Sequence, residues 1–137
     1  MECFVYTWPA HFPAQCPPSD ATEIAGRIFR LISPDGPKEF DFQSHYERAP
    51  AAGRTGPECL ARGLSVLRSY QDCEILKEAV PALRKKRVAQ ANLEPGVGLI
   101  GSTPSNNCAG HCTWWRSITV EEACALFSPI GSAAGAA

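Results

Sequence analysis

Short apolar runs separated by clusters of Pro, Gly, Ser and Asp dominate the chain. Arg27-Ile28-Phe29-Arg30-Leu31-Ile32 is bounded by Gly26 and by Ser33-Pro34-Asp35-Gly36-Pro37. Turn residues on both flanks of a β-branched and aromatic run predict a strand. Leu64-Ser65-Val66-Leu67, Lys85 to Ala91, Val97 to Ile100 and Cys112 to Ser117 read in the same way, and Cys3 to Trp8 reads as an edge strand. Pro9, Pro13, Pro17 and Pro18 make residues 9 to 18 extended and turn-rich, because each proline fixes φ and removes a donor. A short helical or turn segment is expected around Asp20 to Ala25 and a helical turn over Pro57 to Arg62. Residues 38 to 56 are mixed and predict no single element.

Two segments carry helical spacing. Ser69 caps the first, with Cys73, Leu76 and Val80 on one face and Pro81 at its end. The second begins at Thr119-Val120-Glu121-Glu122, a capping box, and aligns Val120, Ala123, Cys124 and Phe127 in one apolar stripe. A hydroxyl at the N-cap and a carboxylate three residues on satisfy two orphan amides of the first turn. Pro129 and Gly131 then stop it.

The interleaved order of five or six short strands and two main helices predicts an α+β domain with a mixed or mainly antiparallel sheet. The helices are too few for a doubly wound parallel sheet. The boundaries are a single globular domain over 1–130 and a small-residue C-terminal tail over 131–137. At 137 residues the chain can bury a core without metal or disulfide staples.

Charge narrows the function classes. Thirteen Lys and Arg oppose 14 Asp and Glu, without the basic excess that marks most nucleic-acid binders. No signal peptide is visible, and no run approaches the roughly 18 apolar residues of a spanning helix. A cytoplasmic location and no membrane partner are the expectation. Seven cysteines cannot all pair. In a reducing compartment they are expected to be mostly free, buried thiols.

The densest chemistry is Asn107-Cys108-Ala109-Gly110-His111-Cys112-Thr113-Trp114-Trp115, after the loop-like run Gly101 to Asn106. Cys108, His111 and Cys112 have metal-ligand types, but structural zinc usually takes four ligands from paired motifs. A second pair is missing unless Cys124, Cys16 or His11 arrives from afar, so no metal and no cofactor are expected. A reactive thiol is the other reading, with Cys108 placed to meet His111 if the loop turns back. Trp114 and Trp115 face opposite ways on a strand. One therefore belongs to the core, and the other is expected to be an exposed binding anchor.

Arg30 shares a strand face with Ile28 and Ile32. A buried guanidinium needs a partner. The usual one is an internal carboxylate, such as Glu47 or Asp41; the alternative is a ligand phosphate or carboxylate. His45 and Glu47 would be neighbours on an extended segment and form an acid/base pair, or merely part of a solvated loop. Arg84-Lys85-Lys86-Arg87 reads as a solvated helix-to-strand junction.

The arginine strand, followed by Gly63-Leu64-Ser65-Val66 leading into a helix, is similar to the arginine and serine strands of ADP-ribosyltransferase-type folds. That likeness would imply a dinucleotide ligand. It covers only these short stretches, and Trp114 to Ser117 lacks the acidic residue such folds carry on a late strand, so it assigns no family.

The reading that needs fewest assumptions is a domain that binds a small molecule or a protein partner, a second copy of the chain included. It would use the 101–111 loop and the adjacent Trp-containing strand, with Arg30, Ser105, Asn107, His111, Trp114 and Trp115 at the site. The alternative is a small enzyme acting on an anionic or nucleotide-like substrate, with Arg30 holding the anion and His45, Glu47 and His111 as catalytic candidates. Convergence of Arg30, His45 and His111 in one cleft would favour the alternative.

Overall fold

The computed structural model describes residues 5–49 and 58–130. In chain order its elements are β1 (Thr22–Glu23), β2 (Gly26–Ile32), α1 (His45–Arg48), β3 (Leu64–Val66), α2 (Tyr70–Ala79), β4 (Arg87–Leu93), β5 (Gly98–Ser102), β6 (Cys112–Arg116), α3 (Val120–Leu126) and β7 (Ser128–Pro129). Single 3₁₀ turns lie at Glu39–Phe42, Leu60–Arg62 and Pro81–Leu83.

The strands form two antiparallel sheets, in the orders β1-β5-β6-β3 and β2-β4-β7. The α+β architecture expected from the sequence is present. The additional strands, β1 and β7, are only two residues long. β1 replaces the helical turn expected near Asp20 to Ala25, because Thr22 and Glu23 pair with Ile100 and Leu99. β7 continues the chain after α3, with Pro129 on a sheet edge, where its missing donor costs little. Residues 5–8 of the expected edge strand are irregular. The rest of that segment, residues 50–57 and the 131–137 tail lie outside the described residues.

The main core fills the space between the sheets. Ile28, Ile32, Ala89 and Leu93 from one sheet meet Leu64, Val66, Ile100 and Trp114 from the other, closed by Phe42, Ala123 and Phe127. A second cluster lies on the far face of the β2-β4 pair. There Phe29 and Val88 pack under Cys73 and Leu76 of α2, with Cys108 from the β5–β6 loop. Phe29 and Leu67 exchange backbone hydrogen bonds of 2.8 Å, tying β2 to the end of β3.

Both predicted helices form. Ser69 Oγ accepts from Asp72 N in α2. In α3 the reciprocal Thr119–Glu122 bonds close the capping box at 2.9 and 3.0 Å. β4 begins at Arg87 rather than Lys85, because Lys86 N donates to Leu83 O and holds the preceding residues in a turn.

The cysteines depart from the expectation at one pair. Cys16 and Cys59 are joined by a disulfide, pinning the proline-rich N-terminal segment to the turn before β3. Four described cysteines, Cys73, Cys108, Cys112 and Cys124, are free thiols, the first three buried. No helix among the described residues is long and apolar enough to cross a membrane.

Candidate functional site

Residues of β2, α1, β3, α2 and the β5–β6 loop line a cavity of about 730 Å³. That lies within the range of small-molecule sites. Its polar lining includes Arg30, Arg48, Lys86, His45, His111 and Ser65. Leu31, Leu64, Leu67 and Leu76 supply apolar walls, and among the described residues no Asp or Glu lines it. The cavity is therefore lined by cationic groups.

β2 positions Arg30. Strand alternation sends it to the same face as Ile28 and Ile32, and only 8% of it is exposed. Its Nε and Nη2 donate to the main-chain oxygen of Asp41 at 2.9 and 2.6 Å, and its Nη1 donates to the main-chain oxygen of Ser65 at 2.6 Å. The guanidinium lies 5.7 Å from the Phe42 ring centre. The expected internal carboxylate does not pair with it. Glu47 pairs with Arg116 at 2.5 Å. The Asp41 carboxylate accepts from Ser33 N, Ser33 Oγ and Lys38 N. Burial, and then Arg48, pull the Arg30 pKa down to about 10; Asp41 opposes this and Arg116 adds to it. Arg30 is thus a buried cation with no carboxylate in contact among the described residues.

β3 presents Ser65. Leu64 and Val66 point into the core and Ser65 to the opposite, exposed side. The β3–β6 register sets Ser65 opposite Thr113 and Val66 opposite Cys112. His111, at the foot of β6, therefore reaches Ser65, with Nε2 2.8 Å from the Ser65 hydroxyl oxygen. Its Nδ1 lies 2.9 Å from the main-chain oxygen of Thr103 and 3.0 Å from the Thr103 hydroxyl. A carbonyl can only accept, so in the tautomer that donates from Nδ1 to Thr103 O the bare Nε2 faces Ser65. Thr103 and Thr113 hydroxyls lie 2.8 Å apart and brace this arrangement.

The β5–β6 loop is a tight hairpin rather than an open flap. Thr103 N donates to His111 O at 3.0 Å, and Ser105 and Cys108 exchange backbone bonds of 3.1 and 3.2 Å. Cys108 is buried against α2, its thiol 3.8 Å from Asp72 O, so it does not meet His111. Cys112 turns to Gly110 O instead. Among the described residues no three His, Cys, Asp or Glu side chains group as metal ligands. Ser105 lines the cavity; Asn107, exposed at the hairpin tip, does not.

The tryptophans overturn one expectation. They do face opposite ways, yet both are buried, at 0 and 1% exposure, and neither lines the cavity. Trp114 lies in the inter-sheet core and donates to Val97 O. Trp115 donates to Cys59 O on the other face, with Gly63 and Gly101 close against its ring. β6 is covered on both sides, which leaves no exposed tryptophan anchor on this strand.

His45 and Glu47 do not form an acid/base pair. Ser44 to Glu47 is the capped first turn of α1: Ser44 N and Glu47 Oε1 are 2.8 Å apart, and Glu47 N donates to Ser44 Oγ. Residues two apart on a helix do not face each other. His45 nevertheless lines the cavity, as do Arg30 and His111.

The residue that sequence reasoning passed over is Ser65, along with Thr103, Arg48 and Lys86. Alternation in Leu64-Ser65-Val66 marked the serine as the polar side of a half-buried strand. Only strand pairing brings His111 to it.

No family model, no curated protein and no solved structure matches the chain.

Proposed function

We propose that this domain binds a small anionic molecule of nucleotide-like size in the Arg30 cleft, with the 103–111 hairpin forming one wall. The observation that carries the proposal is Arg30: a buried guanidinium facing a cavity, with no carboxylate in contact and no acid in the lining among the described residues. Burying an uncompensated charge is costly. A phosphate or carboxylate entering the cleft would supply the missing countercharge and accept charge-assisted hydrogen bonds. Arg48 and Lys86 would add to the attraction. The protein-partner form of the reading loses its main support with the burial of Trp114 and Trp115.

The enzymatic form gains support from the convergence of Arg30, His45 and His111 on one cavity. The Cys16–Cys59 disulfide weighs against the cytoplasmic location expected from the sequence, since disulfides are rare under reducing conditions.

Titration calorimetry of the full chain with ADP, inorganic pyrophosphate and adenosine tests the proposal. ADP and pyrophosphate should bind and adenosine should not. Arg30→Met should weaken pyrophosphate by about 30-fold or more, the equivalent of losing charge-assisted hydrogen bonds of about 2 kcal/mol. Failure of both phosphates to bind, or equal binding by the variant, refutes it.

A further inference from the structure

We infer that Ser65 is a nucleophile toward a phosphate ester held in the cleft, with His111 as its general base. This inference rests on the anion-binding reading above and goes further by assigning a reaction to the same site.

Three observations converge. The Ser65 hydroxyl is exposed to the cavity and lies 2.8 Å from His111 Nε2, within the reach a nucleophile and its base require. The Thr103 carbonyl, 2.9 Å from Nδ1, is an acceptor for Nδ1–H and so favours the tautomer with its basic nitrogen toward the serine. It also remains a hydrogen-bond acceptor for Nδ1–H once Nε2 takes a second proton, so the imidazolium is stabilised as it forms. Thr103 is thus the positioning residue of the set, in the place a carboxylate holds in other serine–histidine systems. Finally, the Arg30 guanidinium bonds the main-chain oxygen of Ser65 itself at 2.6 Å. The reacting hydroxyl and the unpaired cation therefore belong to one site.

The cations decide between phosphoryl and acyl chemistry. Positive side chains stabilise the charge on the equatorial oxygens of a transferring phosphoryl group. Arg30, Arg48 and Lys86 line the cavity in which that charge would develop. In the first step Ser65 Oγ forms a bond to phosphorus and the bond from phosphorus to the leaving oxygen breaks. The hydroxyl proton passes to His111 Nε2 and on to the departing oxygen. In the second step water attacks the phosphoryl-serine and gives a proton to Nε2. The Oγ–P bond then breaks and Nε2 returns the proton to Oγ. Water is the only co-reactant and no electrons are exchanged.

The test uses bis(4-nitrophenyl) phosphate, an anionic diester with a good leaving group, on the full chain. The expected result is a burst of nitrophenolate stoichiometric with protein and a nitrophenylphosphoryl group on Ser65 by peptide mass mapping. Ser65→Ala should abolish both. His111→Ala should slow the burst by about 100-fold or more, the usual contribution of a general base. The mapped adduct on the parent chain is decisive even if a variant fails to fold. No burst and no adduct, while pyrophosphate still binds, overturns the nucleophile and leaves the anion site standing. A burst that survives Ser65→Ala, or an adduct elsewhere, also overturns it. Absence of both binding and burst removes the two readings together.

Discussion

Arg30 and Arg116 are the same residue type, equally buried at 8% exposure, and lean on consecutive carbonyls of one turn. Arg30 donates to Asp41 O, and Arg116 donates to Phe42 O at 3.0 Å. They differ in what completes them. Arg116 also donates to Ile118 O and pairs with Glu47. Arg30 opens onto a cavity and, among the described residues, touches no carboxylate. Burial alone therefore does not distinguish the two arginines. The presence or absence of the countercharge does. Arg62 falls on the closed side too: it pairs with Glu58 at 2.7 Å and lies 3.9 Å over the Tyr46 ring.

The closed end should depend on packing and the open end should not. Phe127 is 3% exposed, with ring centres 5.2 Å from Phe42 and 6.0 Å from Trp114. Phe127→Ala is expected to cost about 3–5 kcal/mol, the transfer loss plus a cavity the rings cannot fill. Urea unfolding measures it. A midpoint unchanged from the parent would show that α3 does not seal this end, and the contrast would fail.

The two arginines give the direct comparison. Arg116→Met strands Glu47 beside a hydrophobic core and should cost about 3 kcal/mol, the low end for buried pairs because Glu47 keeps some solvent. Arg30→Met removes hydrogen bonds to two carbonyls but also removes the penalty of an uncompensated buried cation. These effects oppose each other, so its cost should be about 1 kcal/mol or less. Denaturant midpoints of the two ligand-free variants, measured side by side, decide. Equal losses would mean that Arg30 is as structural as Arg116.

Where the pattern was local, the sequence revealed the fold. β2, β6 and the Thr119-capped α3 each carry their signal within a few residues. α1 carried a capping box at Ser44 and Glu47, but it buries no residue, so no apolar spacing distinguished a helix from a loop. β1 is too short to show alternation and exists through its pairing with β5. The site was half legible. Arg30, Ser105 and His111 stood out by residue type, and they do line the cavity. The Ser65–His111 contact spans 46 positions and arises only from the β3–β6 register. The Cys16–Cys59 bond, at a separation of 43, had no spacing to announce it. Alternation assigned the tryptophans to opposite faces but could not say that both faces are covered.

The smallest expected effect probes whether the closed end is balanced in charge. His11 stacks on Tyr46, with ring centres 4.5 Å apart, and its Nδ1 is buried without a hydrogen-bond partner among the described residues. Burial lowers its pKa below the ordinary value; Arg62 and Arg116 push it further down, and Glu47 acts against them. In the folded protein the ring is therefore neutral over a range in which the unfolded chain already binds a proton. Where the unfolded state binds more protons, stability rises with pH. The contribution of His11 should be fully present above pH 6.5 and should fall as the pH drops from there toward the lowered folded value. His11→Phe keeps an aromatic ring on Tyr46 and removes the titration. Urea midpoints of parent and variant between about pH 7 and 5 should show a shallower decline in the variant, since the other titrating groups are common to both. Parallel declines would mean that one more cation beside Arg62 and Arg116 is tolerated. A steeper decline in the variant would mean that protonated His11 is stabilised there, which only unspent negative charge at the closed end could do.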